Sequence, residues 1–196
     1  MKVLLTGFEP FGGSEVNSSW ETAVRVGQLA PKGVCMETLL LPVSFMRAGK
    51  KIREALREKR PDVLIMLGQR SKGEGIDIER IAINMMDASN PDNDGYQPQE
   101  LMIIAESGTA YFSNLPVKAL RDAVLQRDIP ARVSNSAGLY VCNSTYYNVL
   151  NEIYDQGLST KAVFVHLQKI SADFPIELLT ESVDTIIQTI IQWEHE

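Results

Sequence analysis

The chain has 196 residues, 44% of them hydrophobic and 22% charged, so residues 1–196 can bury one sizeable core as a single domain. Ordinary apolar content with a net charge of only −6 excludes a disordered chain. The acidic balance, 19 Lys plus Arg against 25 Asp plus Glu, offers no general attraction to phosphate backbones or anionic lipid, which argues against nucleic-acid and membrane partners.

Lys2 to Leu5 is a short apolar run ending in Thr6-Gly7, read as a first buried strand with a loop at its carboxyl end. It is too short for a signal h-region, and no later stretch approaches the roughly 20 apolar residues of a membrane span, so the cytoplasm is the expected compartment. Ser18-Ser19-Trp20-Glu21 fits a capping box, Ser18 to Glu21, opening a helix to about Leu29. Val34 to Val43 reads as a second strand, after which Ser44 caps a helix with Phe45, Ile52 and Leu56 on one face. Asp62 to Leu67, bounded by Pro61 and Gly68, is the continuous apolar run of a strand covered on both faces, the expected sheet centre.

Beyond it the pattern changes. Ile76, Ile78, Ile81 and Ile83 suggest an extended ribbon, and Asn90 to Gly95 is a dense turn signal that predicts a surface excursion. Pro116 fits the first turn of a helix to about Arg127, Ala131 to Ser134 a strand, and Ser136-Ala137-Gly138 a turn. Tyr140 to Tyr154 has helical spacing, with Cys142 in the first turn. Ala162 to Leu167 is a further strand, and Ile176, Leu179, Val183, Ile186, Ile187 and Ile190 mark the apolar face of a long final helix. Strands alternating with helices imply an α/β fold: a three-layer α/β/α sandwich with a mostly parallel mixed sheet, whose strand ends carry the functional loops.

Chemistry-bearing residues are few. Cys35 and Cys142 are far apart and expected as free thiols in a reducing compartment. Two histidines, His166 and His195, with no CxxC or HxxxH spacing, make a metal site unexpected. His195, next to the last residue, reads as a solvated side chain. Helix N-terminal amides would favour a thiolate at Cys142, as a nucleophile requires. His166 ends an apolar strand, where parallel sheets place catalytic groups. Residue types alone do not choose a third partner from 25 carboxylates. Taken singly, Glu79 reads as a solvated carboxylate beside Arg80, Phe8 and Phe11 as core, and Gln69 as a loop cap.

Several segments in one order carry a resemblance: Thr6 to Gly13, Asn17 with Ser19-Trp20-Glu21, Gly68-Gln69, Glu79 to Asn84, Pro91-Asp92-Asn93, Tyr111 to Pro116, Ser134 to Gly138, Val141-Cys142-Asn143 and Phe164-Val165-His166. Through them the chain resembles the pyroglutamyl peptidase I family of cysteine peptidases almost from end to end. The resemblance implies a triad of Cys142 as nucleophile, His166 as general base and then acid, and Glu79 as the group orienting the imidazole. It implies an apolar pocket lined by Phe8, Phe11, Tyr140 and Val141, with Asn17 and Gln69 as nearby polar groups. It also implies peptides with N-terminal pyroglutamate as substrates, no cofactor, and a homo-oligomer, commonly a tetramer.

Three departures bear on that expectation. Ser89 in Asp87-Ala88-Ser89-Asn90-Pro91-Asp92 replaces the usual arginine of such a segment, with Arg70 or Lys72 as candidate substitutes. Gly68-Gln69-Arg70-Ser71-Lys72-Gly73 replaces a run of small residues, and Leu167-Gln168-Lys169-Ile170 lacks the prolines that would stiffen the chain after the histidine. Two other readings stay open: a related thiol hydrolase with shifted N-blocked specificity, or a lactam- or peptide-binding relative. For the latter the Gly68 to Gly75 loop with Lys72 is a weak anion-binding motif.

Overall fold

The computed structural model describes residues 1–70, 73 and 75–194; Lys72 and His195 lie outside the described residues. In chain order these form β1 (Lys2–Phe8), α1 (Ser18–Gly27), β2 (Cys35–Leu41), α2 (Phe45–Lys59), β3 (Val63–Arg70), β4 (Ile76–Glu79), β5 (Ile81–Ile83), β6 (Ala110–Phe112), α3 (Val117–Leu125), β7 (Ala131–Ser134), α4 (Val141–Asp155), β8 (Lys161–Gln168) and α5 (Ile176–Trp193). A six-stranded sheet runs β2-β1-β3-β8-β4-β7, and β5 with β6 forms a separate two-stranded ribbon. The β1–β2, β1–β3, β3–β8 and β4–β7 pairs are parallel, and the β4–β8 pair is antiparallel. The expected α/β architecture with a mostly parallel mixed sheet is therefore the one observed.

Helices cover both faces, which is why β3 and β8 read as unbroken apolar runs. Against one face, Ala23 and Val26 of α1, Leu120 and Val124 of α3, and Val183, Ile186 and Ile190 of α5 pack on Val3, Leu5, Ile65, Val163 and Val165. Against the other, Phe45, Ala48 and Ile52 of α2 and Val141, Tyr146 and Leu150 of α4 pack on Leu4, Leu64, Met66 and Phe164. No helix among the described residues is long and apolar enough to cross a membrane.

Two local expectations are corrected by tertiary contacts. The N-cap of α1 is Asn17, whose side chain accepts from the Ser19 backbone N–H, and no Ser18–Glu21 capping box forms. The Ser18 N–H is taken instead by Gln69 Oε1, 2.8 Å away on β3. The Ile76–Ile83 ribbon is two strands with different partners. Ile76 and Ile78 are fully buried in the main sheet, and at Arg80, whose N–H donates to Ser134 O, the chain leaves it to pair Ile81–Ile83 with β6.

The surface excursion between β5 and β6 is tied down by hydrogen bonds within it and to the elements around it. Asn84 Oδ1 accepts from the N–H groups of Ile103 and Ile104. Asp92 Oδ2 accepts from Phe45 N at the start of α2, while its Oδ1 accepts from Asp94 N and Tyr96 N. The dense turn around Asn90–Gly95 is thus docked on a helix N-terminus, where a carboxylate is favoured.

Candidate active site

Three elements converge at the carboxyl ends of β1, β3 and β8. The turn before α4 is closed by its own small residues: Ser136 N donates to Ser134 Oγ, Gly138 N donates to Ser136 Oγ, and Gly138 adopts φ +77°. Cys142 follows in the first turn of α4, as expected, and is half-buried with a free thiol. The N-cap Tyr140 supplies no side-chain hydrogen bond to the helix, its hydroxyl donating instead to Pro91 O. The first-turn amides, which lack intrahelical acceptors, therefore face the loop side. Asn143 anchors this turn to β5, donating to Ile83 O and Met85 O and accepting from Ile83 N.

His166 is 8% exposed near the end of β8. Its Nδ1 lies 2.7 Å from Glu79 Oε1, and its ring packs on that of Phe164, with centroids 4.8 Å apart. Glu79, expected in isolation to be solvated, is fully buried on β4, and the Tyr146 hydroxyl donates to its backbone oxygen. With Nδ1 engaged by Glu79, Nε2 is the ring atom left for the pocket. Burial alone would depress the imidazole pKa; the neighbouring Cys142 side chain and the Glu79 carboxylate bonded to Nδ1 overcome this and raise it from 6.5 to about 9.

A cavity of about 250 Å³ opens at these groups. Every side chain expected to contact substrate lines it: Phe8, Phe11, Asn17, Gln69, Tyr140 and Val141, together with Cys142 and His166. Glu79 stands behind the imidazole rather than on the wall. Several liners have a structural duty as well. Phe8 is 3% exposed and belongs to the core. Asn17 holds Ser19 and donates through Nδ2 to Glu9 O, and Ser19 Oγ accepts from Phe8 N. Gln69 accepts from the Ser18 N–H at the start of α1. On β3, Gly68 is register-paired with His166: a Cβ there would come 2.7 Å from the Phe164 ring and 3.0 Å from His166 Cδ2. Among the described residues no group of three His, Cys, Asp or Glu side chains is disposed to hold a metal ion.

The family model for pyroglutamyl peptidase matches residues 1–190. The chain belongs to the pyroglutamyl peptidase family. It is 40% identical to the pyrrolidone-carboxylate peptidase of Thermococcus onnurineus over 98% of this chain and 100% of that one. With the pyrrolidone-carboxylate peptidase of Clostridium perfringens it shares 42% identity over 88% of this chain and 80% of that one. Among solved structures, a mutant pyrrolidone carboxyl peptidase from Pyrococcus furiosus superposes with a TM-score of 0.94 at 34% identity, covering 98% of this chain and 99% of that one. Pyroglutamyl peptidase I from Bacillus amyloliquefaciens gives 0.91 at 33% identity, covering 96% and 95%.

Set within the pyroglutamyl peptidase family, the three sequence departures fall at different distances from the thiol. Ser89 is exposed and lines a neighbouring cavity of about 740 Å³, which shares Phe11 and Tyr140 with the first. Arg70, one of its two candidate substitutes, lines the Cys142 cavity itself; the other, Lys72, lies outside the described residues. The prolines missing after His166 are replaced by more strand: β8 continues through Leu167 and Gln168, paired with Gln69 and Arg70 of β3. Stiffness there comes from ladder hydrogen bonds that proline would have prevented.

Sequence reading missed Val43, Ser136, Ala137 and Gly138 as pocket liners, and it missed Asn143 and Asp77. Asp77 has a signal in hindsight: Ile76-Asp77-Ile78-Glu79 alternates, so both carboxylates share one sheet face.

Proposed function

We propose that the chain hydrolyses the amide bond after an N-terminal pyroglutamyl residue of peptides, with Cys142, His166 and Glu79 as its triad. Cys142 Sγ, its proton taken by His166 Nε2, attacks the pyroglutamyl carbonyl carbon, and the developing oxyanion is met by the Cys142 N–H and the first-turn dipole of α4. His166 Nε2–H protonates the departing amine nitrogen as the C–N bond breaks, leaving a thioester on Cys142. Water, giving its proton to His166, then attacks the thioester carbon; the C–S bond breaks, pyroglutamate leaves and the sulfur is restored. Glu79 fixes the imidazole through Nδ1 and stabilises its charged form.

The observation that carries this reading is the buried 2.7 Å His166–Glu79 pair opening on the pocket that Cys142 also lines. The pocket also supports the substrate choice. A pyroglutamyl end is a neutral lactam, whereas an ordinary N-terminus is an ammonium that resists desolvation between Phe8, Phe11 and Val141. The test is release of aminomethylcoumarin from its pyroglutamyl amide. Cys142→Ser is expected to lower kcat/KM by about a thousandfold or more, and equal rates in the two proteins would remove Cys142 as nucleophile.

A homo-oligomer, tetrameric by likeness to the family, and a cytoplasmic location belong to the same proposal. The free thiols of Cys35 and Cys142 and the exposed side chains of Met46, Met102 and Phe112 support it. Light scattering that gives the mass of one chain would overturn the first, and fractionation outside the cytoplasm the second.

A further inference from the structure

Among the described residues lining the catalytic cavity, Arg70 is the one side chain of fixed charge. The register pairs Gly68 with His166 and Arg70 with Gln168. Arg70 therefore stands two residues further along β3, on the sheet face that carries the imidazole. The aromatic end of the cavity lies elsewhere, with Phe8 on β1 across β3 and with Phe11 and Tyr140. An amine that takes its proton from His166 departs on the imidazole side, so the leaving peptide runs towards Arg70 and the lactam towards the aromatic rings.

The guanidinium lies against a buried carboxylate. It pairs with Asp77, which is 2% exposed and register-paired with His166. Arg132 binds the same carboxylate through Nε at 2.5 Å and Nη2 at 3.2 Å, with its own side chain largely outside. Two guanidiniums on one buried carboxylate leave a surplus of positive charge among these three side chains. The stem of Arg70 is packed as well. Gly73, at φ +142°, lies over it so closely that a Cβ would stand 3.3 Å from Arg70 Cδ and 2.9 Å from Gln168 Nε2. Gln168 in turn donates to Gly75 O at 2.6 Å. With five N–H donors, an arginine beside one carboxylate keeps further donors for a planar anion.

We propose that Arg70 is a specificity-determining residue that recognises a carboxylate on the first residue of the leaving group, so that pyroglutamyl substrates carrying one there are preferred. This rests on the peptidase reading above. Asp77 is then a positioning residue, and Arg132 a partner that shares Asp77 without entering the cavity.

The experiment compares kcat/KM for pyroglutamyl-alanine with that for pyroglutamyl-alanine amide, read as a ratio within each protein so that general damage cancels. Pyroglutamyl-glutamate amide against pyroglutamyl-glutamine amide distinguishes a side-chain carboxylate from the terminal one. In the wild type at least one acid-to-amide ratio is expected to be about tenfold or more, the scale of a hydrogen bond to a charged group. Arg70→Met should bring that ratio close to one, Arg70→Lys should retain part of it, and Arg132→Gln should keep it. Wild-type ratios near one for both pairs, or a preference that survives Arg70→Met, would overturn the proposal; if that variant does not fold, loss of the preference in Arg132→Gln, or full retention in Arg70→Lys, would do so. The aminomethylcoumarin substrate separates the two levels. Turnover with acid-to-amide ratios of one refutes recognition by Arg70 alone, whereas no turnover of any pyroglutamyl substrate refutes the peptidase reading.

Discussion

On β8, Val163, Val165 and Leu167 point to the face covered by α1, α3 and α5, while Phe164, His166 and Gln168 point to the face covered by α2 and α4. The first face is filled by Val, Leu and Ile with no buried charge among its core residues. The second mixes aromatic side chains with buried Asp77, Glu79, Asn143 and His166. Only the second holds buried charged groups, which must be kept in one geometry to be satisfied. A parallel sheet can therefore use one face for cohesion and the other for chemistry, with strand alternation keeping the two apart.

Substitutions on the two faces should separate activity from stability. The largest effect is expected from Glu79→Gln, which keeps the shape of the side chain but removes the charge that orients and stabilises the imidazolium. Steady-state kinetics should show kcat/KM lower by about a thousandfold or more, as for an uncharged triad orienter, with the far-UV spectrum unchanged. On the opposite face, Ile186→Ala deletes a fully buried side chain of α5. It should cost about 2–5 kcal/mol in denaturant unfolding and leave kcat/KM per folded molecule within twofold, a small factor beside the catalytic one. A large activity loss in this variant would break the separation of faces.

Gly68→Ala sharpens the same comparison, because its Cβ would press on both Phe164 and His166. Overpacking of this kind costs about 1–3 kcal/mol; since the imidazole is one of the two groups displaced, kcat should fall as well. Thermal unfolding and kinetics on one preparation check the pair of effects.

The smallest expected effect is a pH dependence confined to the chemical face. The His166 pKa rises from 6.5 to about 9 on folding. The folded state then binds the extra proton more tightly than the unfolded one, so its stabilisation is complete below pH 6.5 and is lost as pH rises through about 9. Unfolding free energy should fall across that window. The alkaline limb of kcat/KM should move to lower pH in Glu79→Gln, which loses one of the two partners holding the proton. A pH-stability curve for Glu79→Gln identical to that of the wild type would exclude the carboxylate as a source of the shift.

Much of this was legible before folding. Continuous apolar runs identify β1, β3 and β8, and helical periodicity identifies α2, α4 and α5, because both signals come from local geometry meeting a buried environment. The small-residue turn before Cys142 and its place in the first turn of α4 are equally local. The split of Ile76–Ile83 was hidden, since alternation is the same whether a strand pairs in the main sheet or in a two-stranded ribbon. The cap of α1 was misread because Gln69, 51 residues downstream of Ser18, competes for the amide that the local motif would have used. Resemblance, rather than spacing, supplied Glu79 as the third catalytic group and the pocket side chains.

Taken by itself, the amino-acid order determined which segments are strands and helices, that they would stack as α/β/α layers, and that a thiol would sit at a helix start and an imidazole at a strand end. Those properties depend on neighbours a few residues away. Tertiary structure alone decided that Glu79 is buried against His166 rather than solvated, that Asp77 holds two arginines, and that Arg70 enters the pocket. Each needs two strands distant in the chain to meet in one register, and a register is fixed by the packing of the whole sheet.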